Sequence, residues 1–380
     1  MKIKDFSFSS DSENWYIERT HFNELNLLVE ASGVGKTRIL RALELICAVA
    51  KGKKSKLDDA EWIINFSHLG SDYRWELKAL NSIDETFPSE AEQSEILYEN
   101  LVEVKDSSEI AIFRRSSTES SLNNEKLPKL KKTESAIALL SEEESVAPVA
   151  EAFKRFMFNE TPQQAFISVP FDPNNLRMIK GFNKKYRTFQ ELKEVSVNAP
   201  TVFKAYFLQR LFPDEFKKVQ DAYIEIFPNV EEIRVEVKPG SGNQYRLLFE
   251  IKENGLDNWI SQSRMSSGMF RTLIYLIEIL LAPEESVIII DEFENSLGIN
   301  CMPELTEFIL ERSPELQFIL TSHHPYIINS IPWTNWQVVS RVGNNITARK
   351  TTDIPELKTA SSLDRFTQLI DWLESEGEVS

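Results

Sequence analysis

The sequence has little that suits a metal site, a membrane or an exported protein. Its 380 residues include 2 cysteines, Cys47 and Cys301, whose separation matches no metal-ligand spacing. Two isolated cysteines suit a reducing cytoplasm, so we expect both to be packing residues. No apolar run approaches the roughly 20 residues that span a bilayer, and the first residues lack the apolar core of a signal peptide. These absences predict a cytoplasmic protein with no membrane partner.

Positive charge is also scarce, because 43 Lys and Arg stand against 59 Asp and Glu, for a net charge of −16. This balance argues against a chain that coats DNA non-specifically, although a local basic patch could still bind nucleic acid. Residues 177–193 form such a stretch, in which Phe182, Tyr186 and Phe189 could stack on bases. The alternative is a solvated surface or a loop that binds a protein partner.

What is present begins with a phosphate-loop pattern, LVEASGVGKT, at residues 28–37. Gly35, Lys36 and Thr37 fit the pattern G-x-x-x-x-G-K-[ST]. A strand-like run precedes the loop and a helix with an apolar face follows it, which is the context that such a loop requires. The residues expected to line the phosphates are Ala31, Ser32, Gly33, Val34, Gly35, Lys36 and Thr37.

Glu30 stands where the pattern has its first glycine, and this departure leaves the competence of the loop open. Glycine permits a tight backbone turn at this position. A carboxylate about 4 Å from a phosphate is repelled by about 4 kcal/mol at an effective dielectric of about 20. An outward-pointing side chain would reduce the penalty to the backbone term. Natural tolerance, weakened affinity and an introduced substitution all fit the sequence.

A second signal is SVIIIDE, residues 286–292, in which a buried strand delivers two carboxylates to the edge of a sheet. Asp291 would hold Mg²⁺, directly or through water, and Glu292 would position or deprotonate the attacking water. The alternative is a buried strand that ends in a solvated acidic turn. The preceding phosphate loop favours the catalytic interpretation.

Two weaker signals flank this strand in the sequence. Ser266, Ser267 and Gly268 precede a long apolar helix, where hydroxyl and N–H donors attract an anion; an ordinary helix N-cap is the alternative. His323 lies just past another buried strand, where it could donate to a γ-phosphate or act as a structural histidine.

These signals stand in the order found in ABC-type ATPases, and the chain resembles that class in its SMC-like and OLD-like branches. The fragments ASGVGKT, APTVFKAYFLQRLFPDEF, SSGMFRTL and DEFENSLG resemble bacterial anti-phage defence ATPases, including the Septu ATPase PtuA and the PARIS ATPase AriA. The resemblance covers roughly residues 1–80 and 165–345. OLD-type nucleases carry a TOPRIM domain after this core, and we expect none here.

The resemblance implies a head-to-head dimer that holds two ATP molecules, each between one chain's phosphate loop and the partner chain's Ser266–Gly268. Lys36 matches the phosphate-loop lysine, Thr37 the Mg²⁺ hydroxyl, and Asp291 with Glu292 the Walker B pair. His323 matches the switch histidine. Residues 295–298 fall at the D-loop. The glutamine that normally binds Mg²⁺ has no assignment, because Gln163 and Gln164 precede a strand instead of following it.

The predicted fold is therefore α/β, an ABC-type ATPase head with a mixed sheet, a parallel core and an inserted polar and helical region. We expect the head in residues 1–80 and 164–345, an insertion at 81–163 with a mobile loop near 116–133, and a tail with an acidic helix at 346–380. The leading hypothesis is an ATPase that controls a separate nuclease or toxin in anti-phage defence. A low-turnover nucleotide-dependent scaffold and an SMC-like DNA-repair ATPase are the alternatives.

Overall fold

The computed structural model describes most of the chain, whose contacts divide it into two units. The described residues are 1–30, 33–53, 55–57, 59–82, 93–106, 108–159, 169–171, 186–239, 245–357, 367–369 and 371–372. The first unit comprises Met1–Phe158, Glu285–Glu292 and Ser313–Ser380. The second comprises Asn159–Glu284 and Phe293–Arg312.

Strands and helices alternate through both units. The strands are β1 (Lys2–Ser10), β2 (Trp15–His21), β3 (Leu25–Glu30), β4 (Ala60–His68), β5 (Ser71–Ser82), β6 (Gln93–Lys105), β7 (Ser108–Arg115), β8 (Ser120–Leu122), β9 (Glu125–Lys126), β10 (Phe156–Asn159), β11 (Val169–Phe171), β12 (Val230–Pro239), β13 (Tyr245–Glu253), β14 (Ile260–Ser261), β15 (Val287–Ile290), β16 (Gln317–Thr321), β17 (Trp336–Val342) and β18 (Asn345–Lys350). The helices are α1 (Lys36–Ala50), α2 (Ala136–Leu139), α3 (Ala147–Lys154), α4 (Phe189–Ser196), α5 (Thr201–Leu211), α6 (Pro213–Ile226), α7 (Ser267–Leu281), α8 (Met302–Arg312) and α9 (Pro325–Ser330).

The first unit is built on one mixed sheet, with the strand order β10-β15-β16-β3-β17-β18-β2-β1-β4-β5-β6-β7-β8-β9 over the described residues. Its core strands β15, β16, β3 and β17 are parallel neighbours, with Ile288 opposite Phe318 and Leu320 opposite Leu27. Continuous apolar runs such as VIII in β15 are buried throughout, as expected for parallel strands that are covered on both faces. The predicted α/β class, a mixed sheet with a parallel core, is confirmed.

From β2 to β9 the strands of this sheet pair antiparallel, and this part includes some of the segment predicted as an insertion. Strands β6 and β7 pair with each other and extend the sheet from β5. The loop expected near residues 116–133 is wrong over β8 and β9, which pair as a hairpin at the end of the sheet. Polar composition misled this prediction, because an edge hairpin exposes most of its side chains to water.

Helix α1 packs against the sheet of the first unit through the apolar face that its periodicity predicts. Ile39, Leu43 and Ile46 are fully buried in the same hydrophobic cluster as the sheet strands. Cys47 lies on this face, and burial raises the pKa of its thiol to about 11. Cys301 is also buried. Both cysteines are therefore packing residues, as predicted.

The second unit joins a smaller antiparallel sheet to helices α4 to α8. Strand β13 pairs with β11, β12 and β14. Buried aromatic residues fill the interior of this unit, and the rings of Phe249 and Phe270 meet edge to face, 6.0 Å apart. Helix α7 is buried along almost its whole length, which agrees with its apolar sequence LIYLIEILL.

Some predicted features lie outside the described residues. These are Gln163, Gln164, most of the strand expected at 164–169 and most of the acidic helix expected after residue 361. Among the helices that the structure does describe, none combines the length and apolarity needed to cross a bilayer.

Candidate functional site

The phosphate loop of the first unit connects β3 to α1, as predicted. Two glycines shape its described part, since Gly33 and Gly35 have φ angles of 88° and 137°. These values lie in the left-handed region that favours glycine. A Cβ atom on Gly35 would also lie 2.8 Å from Cδ1 of Ile346. Gly35, which the pattern fixes, therefore combines a conformation that favours glycine with little space for a Cβ, whereas Gly33 has the conformation alone. Ala31 and Ser32 lie outside the described residues.

The Glu30 side chain points into this loop. Its carboxylate accepts hydrogen bonds from the backbone N–H groups of Gly33, Gly35 and Lys36, at 3.2, 3.0 and 2.9 Å. The side chain is only 6% exposed. The outward orientation that the sequence left open is thus not adopted. Instead, the carboxylate takes the backbone donors that a phosphate loop offers to its ligand.

Lys36, the first residue of α1, is buried and lies between two acceptors. Its Nζ is 2.9 Å from Nε2 of His323 and 3.9 Å from Oε1 of Glu30. Nδ1 of the same ring lies 3.4 Å from Nζ, so both ring nitrogens of His323 are within hydrogen-bond distance of the ammonium group. The predicted phosphate-loop lysine and the predicted switch histidine are therefore brought into direct contact.

Asp291 lies immediately after β15 and gathers hydroxyl groups from two other elements. Its Oδ2 accepts a 3.3 Å hydrogen bond from Thr37 on α1. Its Oδ1 accepts a 2.6 Å hydrogen bond from Thr321, at the end of β16. The carboxyl ends of β3, β15 and β16 meet at one edge because the strands are parallel neighbours. Residues about 250 positions apart thus form one polar cluster.

Thr321 is a site residue that sequence reasoning did not assign. Its hydroxyl donates to Asp291 and accepts the backbone N–H of Glu292 at 2.7 Å. One side chain therefore fixes both members of the predicted Walker B pair. The available signal was a hydroxyl at the end of a buried strand, two residues before His323.

Glu292 is exposed and has a φ angle of 48°. A side chain in this left-handed conformation is uncommon, and strain of about 1–3 kcal/mol of this kind concentrates at functional sites. The hydrogen bond from its N–H to Thr321 holds the turn in place. Glu292 is thereby held at an exposed position next to Asp291.

The two adjacent histidines have separate roles. His323 contacts Lys36, whereas His324 is the N-cap of α9 and accepts the N–H of Tyr326 at 3.2 Å on Nδ1. His324 therefore has a capping role, and His323 lies against the phosphate-loop lysine.

Ser266, Ser267 and Gly268 belong to the second unit, at the start of α7. Ser266 is the N-cap and accepts the N–H of Met269 at 3.2 Å, so the ordinary capping role is present. Ser266 and Ser267 are exposed. A Cβ on Gly268 would lie 2.9 Å from the carbonyl oxygen of Ser296. Gly268 thus allows close approach of residues 296–298, within the predicted D-loop.

The basic stretch at residues 177–193 is described only from Tyr186 onward, so Phe182 lies outside the described residues. Tyr186 is 7% exposed and packs edge to face on Phe207. The ammonium of Lys193 lies 5.0 Å from the ring centre of Phe189. The suggestion that Tyr186 stacks on bases is therefore wrong, because its ring is already buried in the second unit.

The donor set of the first unit fits Mg²⁺. Thr37 and Asp291 offer a hydroxyl and a carboxylate oxygen, the hard ligands that this ion prefers in proteins. A site with so few protein ligands is typical of Mg²⁺ bound together with a phosphate substrate.

Comparison with known proteins gives one family match and several distant structural similarities. A family model described as "AAA domain, putative AbiEii toxin, Type IV TA system" matches residues 25–329. The Smc head bound to the C-winged helix domain of ScpA has a TM-score of 0.47 and 14% identity, covering 92% of this chain and 97% of that one. The Smc head with an extended coiled coil, bound to the C-terminal domain of ScpA derived from Pyrococcus furiosus, has a TM-score of 0.45 and 13% identity, covering 98% and 99%. The SMC head from Thermotoga maritima has a TM-score of 0.39 and 13% identity, covering 92% and 99%. A search among curated proteins finds no match.

Proposed function

The chain belongs to the AAA-domain family whose model spans residues 25–329, and from this premise we propose that it is an ABC-type ATPase. It binds ATP with Mg²⁺, hydrolyses ATP as a head-to-head dimer, and through that cycle controls a separate effector. The observation that carries the proposal is the cluster of Lys36, Thr37, Asp291 and His323 at the edge of one parallel sheet. Each of these side chains has a role in phosphoryl transfer.

Phosphate binding falls to the loop and to Lys36. The N–H groups of Gly33, Gly35 and Lys36 converge on one carboxylate, which supports their role as donors to a phosphate oxyanion. Thr37 and Asp291 would hold Mg²⁺. When bound, the ion neutralises charge that develops on the phosphates.

Hydrolysis falls to Glu292 and His323. Glu292 is exposed beside the cluster, so its carboxylate can orient water and accept its proton. The imidazole of His323 lies against Lys36, with Nε2 2.9 Å from Nζ. Once Lys36 turns to phosphate, His323 becomes available to donate to the terminal phosphate.

The dimer and the effector complete the proposal. Ser266–Gly268 would contact the nucleotide that is held by a partner chain. Exposure of Ser266 and Ser267 at the start of α7 supports this role. The effector is a nuclease or toxin in anti-phage defence, and the toxin–antitoxin wording of the family description is consistent with such a system.

A nucleotide-dependent scaffold with little turnover is the second candidate function. The observation that favours it is the Glu30 carboxylate inside the phosphate loop. Both candidates require ATP binding, so the rate of ATP turnover discriminates between them.

The test combines ATP titration with hydrolysis assays on five proteins: the parent, two site variants and one control for each variant. Lys36→Ala should lose binding, with Lys4→Ala, an exposed lysine in the same unit, as the control. Glu292→Gln should bind ATP and lose turnover by about 10²–10⁴-fold, the usual contribution of a general base, with exposed Glu311→Gln as its control. Turnover by Glu292→Gln at the parent rate would refute the base assignment. Binding without turnover in the parent would establish the scaffold instead.

A further inference from the structure

We propose that Glu30 is an internal ligand of the phosphate loop, which keeps the loop occupied until the phosphates of ATP displace its carboxylate. The inference rests on the proposed function and adds a regulatory step to it. ATP binding would then be a competition between two anions for one set of donors.

The geometry makes the two anions mutually exclusive. Oε2 of Glu30 accepts from both Gly35 and Lys36, and Oε1 accepts from Gly33. Each backbone N–H has one hydrogen to donate, so these donors cannot hold a phosphate oxygen at the same time with full strength. The carboxylate must leave before phosphate takes its place.

The Lys36 side chain also lies close to groups of its own chain. Its ammonium lies 2.9 Å from Nε2 of His323 and 3.9 Å from Oε1 of Glu30. The principal cation of the loop therefore has acceptors from its own chain. Release of the Glu30 carboxylate would free the backbone N–H groups and would also remove one of the two neighbours of the lysine.

The contact between the Glu30 carboxylate and the loop is buried, so it belongs to the folded structure. The Glu30 side chain is 6% exposed, and a buried carboxylate is tolerated only when it is paired and hydrogen-bonded. Its backbone ends β3 in register with Val339 of β17, which sets the starting position of the side chain. Glu30 thus stabilises the nucleotide-free loop and opposes the nucleotide-bound one.

An internal ligand should affect stability and ATP affinity in opposite directions, whereas a residue that is merely tolerated in the loop should not. Removing the carboxylate leaves three N–H groups without it, so the nucleotide-free protein should become less stable. The same change should strengthen ATP binding, because affinity is reduced by the fraction of molecules in which the site is blocked.

The experiment measures both effects in Glu30→Ala, Glu30→Gln and the parent. The probes are ATP with Mg²⁺ and inorganic pyrophosphate, titrated by calorimetry, with thermal unfolding followed in the absence of nucleotide. The control is Glu24→Gln, which removes an exposed carboxylate just before β3, about 20 Å from Glu30 at about 3.3 Å per strand residue. Glu30→Gln keeps the size of the side chain, so it remains informative if Glu30→Ala does not fold.

We expect Glu30→Ala to lower the Kd for ATP by about tenfold or more, and Glu30→Gln by a smaller factor. Pyrophosphate should show the same ranking, since the competition concerns phosphate and not the base. Both variants should unfold at a lower temperature than the parent without nucleotide. Glu24→Gln should leave the Kd within about twofold, because surface charge acts weakly over that distance.

Other results overturn the inference. If the parent binds ATP and neither Glu30 variant binds it more tightly, the carboxylate does not compete with phosphate, and the proposed ATPase function stands. If neither the parent nor the Glu30 variants bind ATP, the inference fails together with the proposed function. If affinity rises while nucleotide-free stability stays unchanged, Glu30 acts by repulsion and is not a ligand of the loop.

Discussion

Helices α1 and α7 both begin where the sequence predicts contact with phosphate, yet their first N–H groups are satisfied differently. At α1 the acceptor is the buried carboxylate of Glu30, which belongs to the preceding strand and takes three N–H groups across the loop and first helical residue. At α7 the acceptor is the hydroxyl of exposed Ser266, the N-cap itself, which takes one. We propose that phosphate displaces the charged acceptor, which lies outside α1, whereas the cap of α7 is part of that helix. Similar sequence signals thus have different physical consequences.

The largest expected effect tests whether the two helix ends cooperate between chains. Lys36→Ala disables the α1 end, and Ser266→Arg blocks the α7 end with a bulky cation. Each protein alone should be inactive as an ATPase. Mixing equal amounts should restore about one quarter of the parent activity. Random association makes about half of the dimers mixed, and each mixed dimer has one intact composite site of its two.

The readout is steady-state phosphate release as the mixing ratio varies. A mixture of Lys36→Ala with Glu292→Gln is the control, and it should stay inactive since both changes lie in the same half of the composite site. A mixture of Lys36→Ala with Ser266→Arg that also stayed inactive, with both proteins folded, would contradict the head-to-head dimer.

A smaller effect is expected at Thr321, whose hydroxyl positions Asp291 and Glu292 beside the start of α1. Thr321→Val keeps the shape of the side chain but removes the hydroxyl between Asp291 and the N–H of Glu292. Loss of such a supporting hydrogen bond typically reduces metal affinity or activity by about 10–100-fold. Hydrolysis measured against Mg²⁺ concentration should show this loss.

Thr321→Ser is the matched control, since it retains the hydroxyl and should keep most of the activity. Equal rates for Thr321→Val and the parent would show that Asp291 and Glu292 hold their positions without Thr321.

At the α7 end, Gly268→Ala tests the close approach of the predicted D-loop. The added Cβ would lie 2.9 Å from the backbone oxygen of Ser296. Because a backbone atom cannot rotate away, we expect a loss of about 1–3 kcal/mol in unfolding free energy, as for other overpacked sites. Denaturant unfolding measures the loss. Ser267→Ala, at the exposed neighbouring position, serves as the control and should change stability by less than about 0.5 kcal/mol.

The smallest effect is expected from Ser266→Ala, which removes the cap of α7. Losing an N-cap hydroxyl costs about 1 kcal/mol, and the change should appear as a lower denaturant midpoint. Ser266→Asp supplies another capping oxygen and should restore most of the loss. If Ser266→Ala were as stable as the parent, the 3.2 Å bond to Met269 would have no energetic weight, and the contrast between the two helix ends would reduce to exposure.

Sequence reasoning succeeded where an apolar run or a fixed spacing defines local structure. The run LNLLV and the helix after Thr37 predicted β3 and α1, and SVIIIDE predicted β15 followed by Asp291. Within the loop expected near 116–133 it failed at residues 120–126, where the chain forms the short strands β8 and β9. Composition does not distinguish a loop from an edge hairpin, because both are solvated.

The sequence by itself determined which residues are available for phosphate chemistry and the order in which they occur. Gly35, Lys36 and Thr37 follow one apolar strand, and Asp291 and His323 follow two others. Only the tertiary structure decided that β3, β15 and β16 are neighbours, so that their carboxyl ends meet. It also decided the direction of the Glu30 side chain. The loop N–H groups point to one place only when Gly33 and Gly35 adopt their positive φ angles, and the Glu30 carboxylate accepts hydrogen bonds from them there.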